Sequence, residues 1–285
     1  MEMSQSRGQV VVSGDEYHQF RDHLESISGI LLSDGKEYLV VSRLRRIMTE
    51  RELPTLSELM YAMARDRQLE HQVIDAMTTN ETLWLRDSHP FTILENRIFP
   101  ELAQQSGSIK IWSSACSTGQ EPYSIKMTEL EYRRKTGNRM PPVSVLATDL
   151  SDSALSAARR GAYPWMAIRR GMPEALLERY FDKTGDDEWQ VSKALREGID
   201  FRSFNLNDNY GRLGSFDVIF CRNVLIYFSG ERKRDILIRM HGALKSNGYL
   251  ILGASEAISG LSDYYEMVTC SPGIVYRKKP FAAGR

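Results

Sequence analysis

Between Asp15 and Met77 the apolar residues recur every three or four positions. Beyond Ile109 they gather into short runs separated by helical stretches. The first pattern predicts amphipathic helices, the second buried strands alternating with helices. Tyr17, Phe20, Leu24 and Ile27 form one stripe, with Ser13 or Asp15 as its cap. Leu39, Val40, Leu44, Ile47 and Met48 form the inner stripe of a second helix over residues 36–51. Leu56, Leu59, Met60 and Met63 follow Pro54-Thr55 as a third, and Glu70 to Met77 read as a fourth. The predicted organisation is an all-α domain over residues 1–77, a linker over 78–92, and an α/β domain over 93–285.

The α/β half opens with a strand, Ile109 to Trp112, and a small-residue turn, Ser117-Thr118-Gly119. A helix follows, with Pro122 at its first position and Gly137 as its stop. Val143 to Ala147 form a second buried strand ending in Thr148-Asp149-Leu150, and Ser151 or Asp152 caps the next helix. Phe216 to Cys221 are another buried strand. The charged run Glu231 to Asp235 opens a helix, Asn247-Gly248 turns into the strand Tyr249 to Leu252, and Val268 to Tyr276 form a hairpin split by Pro272-Gly273. Residues 161–204 are less regular. Met172 to Tyr180 read as helix; Glu188 to Val191 and Ile199 to Phe204 read as strands of a small antiparallel insert at about 180–204. The fold class is α/β, a doubly wound, Rossmann-like sheet, in which ligands bind at the carboxyl ends of the strands.

Composition narrows the function. The 285 residues hold 37 Lys+Arg and 37 Asp+Glu, so no global field favours nucleic acid or an anionic membrane. Cys116, Cys221 and Cys270 make no zinc spacing and no disulfide framework, which suits a reducing compartment and no metal. The absence of a signal-peptide core and of an 18-residue apolar run argues against membrane insertion. No heptad run suggests a dimer, so a monomer is expected.

The turn after the first strand carries the chemistry. A dinucleotide fingerprint needs three glycines around a pyrophosphate. Here there is one glycine, and Glu121 stands at the helix start, where an acid repels phosphate. The turn suits hydroxyls or a cationic group, and S-adenosylmethionine (SAM) offers both without phosphate. Glu121 also suits the helix dipole, so the turn alone does not decide. Asp149 ends the second strand, where such folds hold ribose hydroxyls. The linker concentrates Asn80, Thr82, Arg86 and His89 around Leu83-Trp84-Leu85, as a pocket-lining segment does; His89 before Pro90 reads as structural. The second helix carries Arg43, Arg45, Arg46 and Arg51, either a solvated face or a docking site for an acidic partner.

Five segments together resemble the chemotaxis receptor methyltransferases, the CheR family: T-T-N-E-T-L-W-L-R, S-S-A-C-S-T-G-Q-E-P-Y-S, A-T-D-L, F-N-L and F-D-V-I-F-C-R-N-V-L-I-Y-F. The resemblance spans roughly residues 15–280. It implies a cytoplasmic bacterial enzyme that methylates glutamate side chains of chemoreceptor signalling helices with SAM, leaving S-adenosylhomocysteine. It implies an all-α N-terminal domain, a SAM-dependent methyltransferase domain and a β-subdomain insert. By position, Asn80, Thr82, Arg86, Glu121, Asp149, Asn205, Leu206, Arg222 and Asn223 would line the SAM site. Glu121 would lie near the methionine end, Asp149 at the ribose, and Asn205 and Leu206 beside adenine. Arg86 and Tyr227 would face the methyl group, and the arginines at 43, 45, 46 and 51 would meet receptor helices. The short Thr184-Gly185-Asp186-Asp187 turn departs from relatives that grip a receptor tail peptide, so no tail tether is expected. A methyltransferase acting on RNA or a small molecule, and a non-catalytic SAM sensor, are the competing readings.

Overall fold

Three of the first four helices begin at a side chain that accepts an otherwise free backbone N–H. In the computed structural model, which describes residues 12–104 and 107–280, Ser13 and Glu16 form a capping box on α1 (Gly14–Ser28). Helix α2 (Glu37–Glu50) has no side-chain cap. Thr55 caps α3 (Leu56–Met63) and Asp66 caps α4 (Arg67–Met77). The Asp66 carboxylate accepts from the N–H groups of Gln68 and Leu69, so α4 starts three residues before the expected Glu70. The inner stripes of all four helices close one core around Tyr17, Phe20, Leu44 and Leu59.

Past the linker, α5 (His89–Ile93), a π-helical turn (Leu94–Ile98) and α6 (Phe99–Leu102) lead into β1 (Ile109–Ser113). Then come α7 (Gln120–Thr136), β2 (Val143–Asp149) and α8 (Asp152–Arg160). The next segment holds β3 (Ala162–Pro164), α9 (Trp165–Ile168), α10 (Glu174–Tyr180), β4 (Phe181–Lys183), β5 (Glu188–Val191) and α11 (Lys193–Arg196). The chain finishes with β6 (Ile199–Ser203), β7 (Phe216–Cys221), α12 (Gly230–Ala243), β8 (Leu244–Leu252), β9 (Tyr265–Thr269) and β10 (Ile274–Lys278). The main sheet has the order β6-β2-β1-β7-β8-β10-β9. Strands β6, β2, β1, β7 and β8 are parallel, and β10 and β9 complete the edge antiparallel. Alternate side chains serve the two faces, as the pleat requires. Ile111, Val145 and Val218 pack with Phe91, Phe99 and Ile125 on one side, and Trp112, Leu146 and Ile219 pack with Ile236 and Met240 on the other.

Three details differ from the sequence reading. The stretch Ile199–Phe204 does not join the insert: β6 pairs in parallel with β2 over Val145–Asp149, extending the main sheet. The free edge of β2 offered it a ladder, and Gly198, at φ 78°, turns the chain onto that edge. The third strand of the insert is β3, whose Pro164 is tolerated because β3 is an edge strand. Helix α7 starts at Gln120 behind a left-handed Gly119, so Pro122 occupies the third position, where its missing N–H is still harmless. Asn247-Gly248 is a kink inside a continuous β8, with Asn247 at φ 60° and a register shift opposite, between Phe216 and Val218.

Glu131 joins α7 to the insert. It accepts from Arg134, from Arg179 and from the Tyr180 hydroxyl at 2.8 Å. Burial pushes its carboxyl up, but the bonds from Arg134, Tyr180 and Arg179 outweigh burial and hold it at about 2. A depressed carboxylate adds stability above its unfolded pKa, which is lost as pH falls through the folded value. Glu131→Gln should therefore lower stability by about 1–3 kcal/mol at pH 7. The gap to the parent chain should narrow once pH drops below about 4.5. Urea titrations at both pH values measure it.

Candidate functional site

The carboxyl ends of β1, β2 and β7 open into a solvent-connected cleft of about 970 Å³. Strand order reverses at β1, which is where open α/β sheets place their ligands. All ten residues expected at the site border this cleft: Asn80, Thr82, Arg86, Glu121, Asp149, Asn205, Leu206, Arg222, Asn223 and Tyr227.

Glu121 and Asp149 are both buried. Asp149 Oδ2 accepts from the Ser117 N–H at 2.7 Å, and Oδ1 from the Ser151 N–H at 2.9 Å. Ser117 reaches this bond from a left-handed φ of 48°, so the turn is bent around the carboxylate. Burial pushes the Asp149 carboxyl up, against the pull of the N–H groups of Ser151 and Ser117. Each oxygen keeps a lone pair free for a hydroxyl. Glu121 Oε1 accepts from Ser113 Oγ at 2.7 Å, and Oε2 from Arg222 Nη1 at 2.9 Å. The other end of Arg222 donates to the Arg86 carbonyl at 2.6 Å and to Asp87 at 2.8 Å, and its guanidinium lies 5.6 Å from the Phe91 ring centre. Arg222 is thus spent on holding Glu121 and the linker. Cys116 sits wholly buried under the turn; burial, then Asp149 and Glu121, push its thiol well up, so it is no nucleophile.

The linker is strained. Leu85, Asp87 and Ser88 all have positive φ, at 48°, 65° and 45°. Such residues cost on the order of 1–3 kcal/mol each and persist only when their surroundings impose them. Here Ser124 Oγ accepts from the Leu85 N–H at 3.0 Å and Arg222 holds the next two residues. Arg86 is aimed from between these fixed points, and its side chain donates to the Glu81 carbonyl at 3.0 Å.

The interior therefore offers carboxylate acceptors to the cleft while its buried cation is engaged. That set fits an ammonium and ribose hydroxyls and would repel a phosphate. Family models agree with the geometry. The "CheR methyltransferase, all-alpha domain" matches residues 15–78, and the "CheR methyltransferase, SAM binding domain" matches residues 80–274. The chain belongs to the CheR methyltransferase family. It is 50% identical over 268 residues to chemotaxis protein methyltransferase 1 of Pseudomonas aeruginosa, covering 93% of this chain and 98% of that one. A Pseudomonas putida chemotaxis protein methyltransferase, Cher2, is 49% identical over 93% of this chain and 98% of its own length. The Vibrio parahaemolyticus chemotaxis protein methyltransferase is 47% identical over 95% and 99%. Among the described residues no helix is long and apolar enough to cross a membrane.

The four docking arginines do not share one environment. Arg45 and Arg46 are exposed, with Arg46 3.9 Å from Glu50. Arg51 pairs with Asp66 at 3.1 Å, and Arg43 turns inward onto the linker. Several site residues escaped the sequence reading. Ser28 and Ile30 of the helical domain line the cleft. Asn205 Nδ2 donates to the Ile27 carbonyl at 2.7 Å, and the Leu31 N–H to the Tyr227 carbonyl at 2.9 Å. Gly29 sits at φ 79°, where a Cβ would stand 2.4 Å from the Phe228 ring. Glu256 is another. It accepts from the N–H groups of Asn223, Leu225 and Gly253 at 2.7, 2.8 and 2.9 Å, fixing the loop that carries Asn223 and Tyr227. Its one sequence signal is an acid just past a buried strand, G-A-S-E.

Glu256→Ala leaves three backbone donors without their acceptor and should cost about 2 kcal/mol or more. Glu256→Gln should recover part of that. Chemical denaturation reads both.

Proposed function

We propose that this chain transfers a methyl group from SAM to glutamate side-chain carboxylates on the signalling helices of chemoreceptors, giving methyl esters. The observation that carries the reading is the shared cleft: two anchored carboxylates, Glu121 and Asp149, open to the same volume as Arg86 and Tyr227. Relatives named chemotaxis protein methyltransferase over nearly the whole chain support it.

In this reading Asp149 takes ribose hydroxyls on its free lone pairs, Glu121 takes the amino group, and Asn205 and Leu206 flank the base. Bound there, SAM supplies a methyl group activated by a sulfonium. A glutamate has a reference pKa of about 4.3, so the acceptor is ionised at neutral pH and needs no general base. The chain's task is alignment, a contribution of roughly 7–11 kcal/mol in favourable cases. Arg86 orients the incoming carboxylate by charge-assisted bonds. Too tight a grip would stabilise the ground state equally, so its value lies in direction. The Tyr227 ring offers a π face to positive charge. Arg45 and Arg46, exposed on α2, give an acidic receptor surface its electrostatic contact.

Labelled SAM incubated with receptor fragments, followed by alkaline release of methanol, tests the reaction. Label that stays in RNA, or none transferred at all, rejects it. Arg86→Ala should keep SAM affinity within about tenfold and lower turnover by about two decades or more. Calorimetry and the methanol assay separate the two. Asp149→Ala should mainly weaken SAM binding, by about tenfold or more, as loss of a charged acceptor does. Calorimetric titration reads it directly.

A further inference from the structure

Arg43 stands among the basic residues of α2, yet its guanidinium is committed. Nη1 donates to the carbonyls of Met77 and Thr78, the latter at 2.9 Å, and Nη2 to Thr79 Oγ1 at 2.9 Å. All three acceptors belong to residues that border the cleft. The segment from Thr78 to Leu83 has no helix or strand ladder of its own. Its polar backbone must be held by other groups.

The opposite side of this strap is fixed as well. Asn80 Nδ2 donates to Ser151 Oγ at 3.2 Å, and the Asn80 carbonyl accepts from Ser117 Oγ at 3.1 Å. Ser151 Oγ in turn donates to Asp75 of α4 and caps α8 through the Ala154 N–H at 3.1 Å. The strap therefore runs between two clamps. One is the fork of Arg43 on the helical side, the other the serines beside Asp149. A planar guanidinium spans two carbonyls and a hydroxyl with a rigid fork of donors, where an ammonium offers a compact point charge on a flexible stem.

We propose that Arg43 is a positioning residue of the cofactor cleft: by gripping Met77, Thr78 and Thr79 it sets Asn80 and Thr82 over the cleft and ties α2 to the site. It acts through the strap and does not meet the partner. Partner contact is left to Arg45 and Arg46. This inference rests on reading the cleft as the SAM site.

The test uses the full chain without receptor. Arg43→Ala should raise the calorimetric Kd for SAM about tenfold or more, the scale of losing bonds from a charged donor. In the unliganded chain, amide exchange should accelerate over residues 78–83 and stay unchanged in the cores of α1 and α3. The double variant Arg45→Glu/Arg46→Glu should leave the SAM Kd unchanged. In an Asn80→Ala background, removing Arg43 should cost clearly less affinity than in the parent. A SAM Kd within twofold of the parent, with unaltered exchange in the strap, overturns the proposal. If Arg43→Ala loosens the whole helical domain, Arg43→Lys decides. An intermediate Kd with a protected core supports the clamp, and a parental Kd overturns it. Failure of the parent chain itself to bind SAM would instead reject the functional reading.

Discussion

Arg222 holds the centre of the site together. It is buried at the end of β7 and donates to Glu121 on α7 and to Asp87 and the Arg86 carbonyl on the linker. A buried guanidinium with one carboxylate is a poor stabiliser, because desolvation offsets the attraction; removing either partner leaves an uncompensated charge that costs about 3–5 kcal/mol. The geometry makes those partners come from two separate elements, α7 and the linker, both meeting the end of β7. Glu121 meets Arg222 Nη1, and Arg222 Nη2 finds its partners only when the linker lies across it. The cleft and the linker therefore form together.

The helical domain is part of the same assembly. The last turn of α1 bonds Asn205 through the Ile27 carbonyl, and the loop after it contributes Ile30 to the cleft and bonds Tyr227 through the Leu31 N–H, the two places where loops from the sheet approach the ligand space. Gly29 lets the Phe228 ring come within a distance that a side chain would forbid. A ligand that fills the cleft binds only the docked arrangement, so it stabilises the contact between the two halves through mass action. The α2 helix, through Arg43, and the cleft thus share one mechanical frame.

Helix caps, buried strands and the acid-bearing turn were legible because each is a local signal. Ser13, Thr55, Gly137 and Ser151 do what their residue types predict. The pairing of β6 was not legible, since Ile199–Ser203 carries the same alternation whether it joins the insert or the main sheet; the free edge of β2 decides. The role of Arg43 was hidden for a related reason. Arg43, Arg45 and Arg46 look alike in a basic run, and only the position of a linker some 35 residues away separates them. Glu256 lay outside every motif because its three bonds go to backbone N–H groups, which carry no sequence identity.

In the reaction proposed above, the strain around Arg86 gives the site its chemical logic. A reaction whose nucleophile is already charged gains nothing from a base and much from a fixed angle of approach. A flexible arginine on a relaxed loop would surrender that gain to its own rotamers. Three departures from right-handed backbone within four residues, at Leu85, Asp87 and Ser88, would relax at once in an isolated peptide. They hold here because Ser124, Arg222 and the packing of Trp84 against Tyr163 and Phe181 overdetermine the path. The insert supplies both of those rings. It therefore belongs to the machinery that aims Arg86, whatever else its surface contacts.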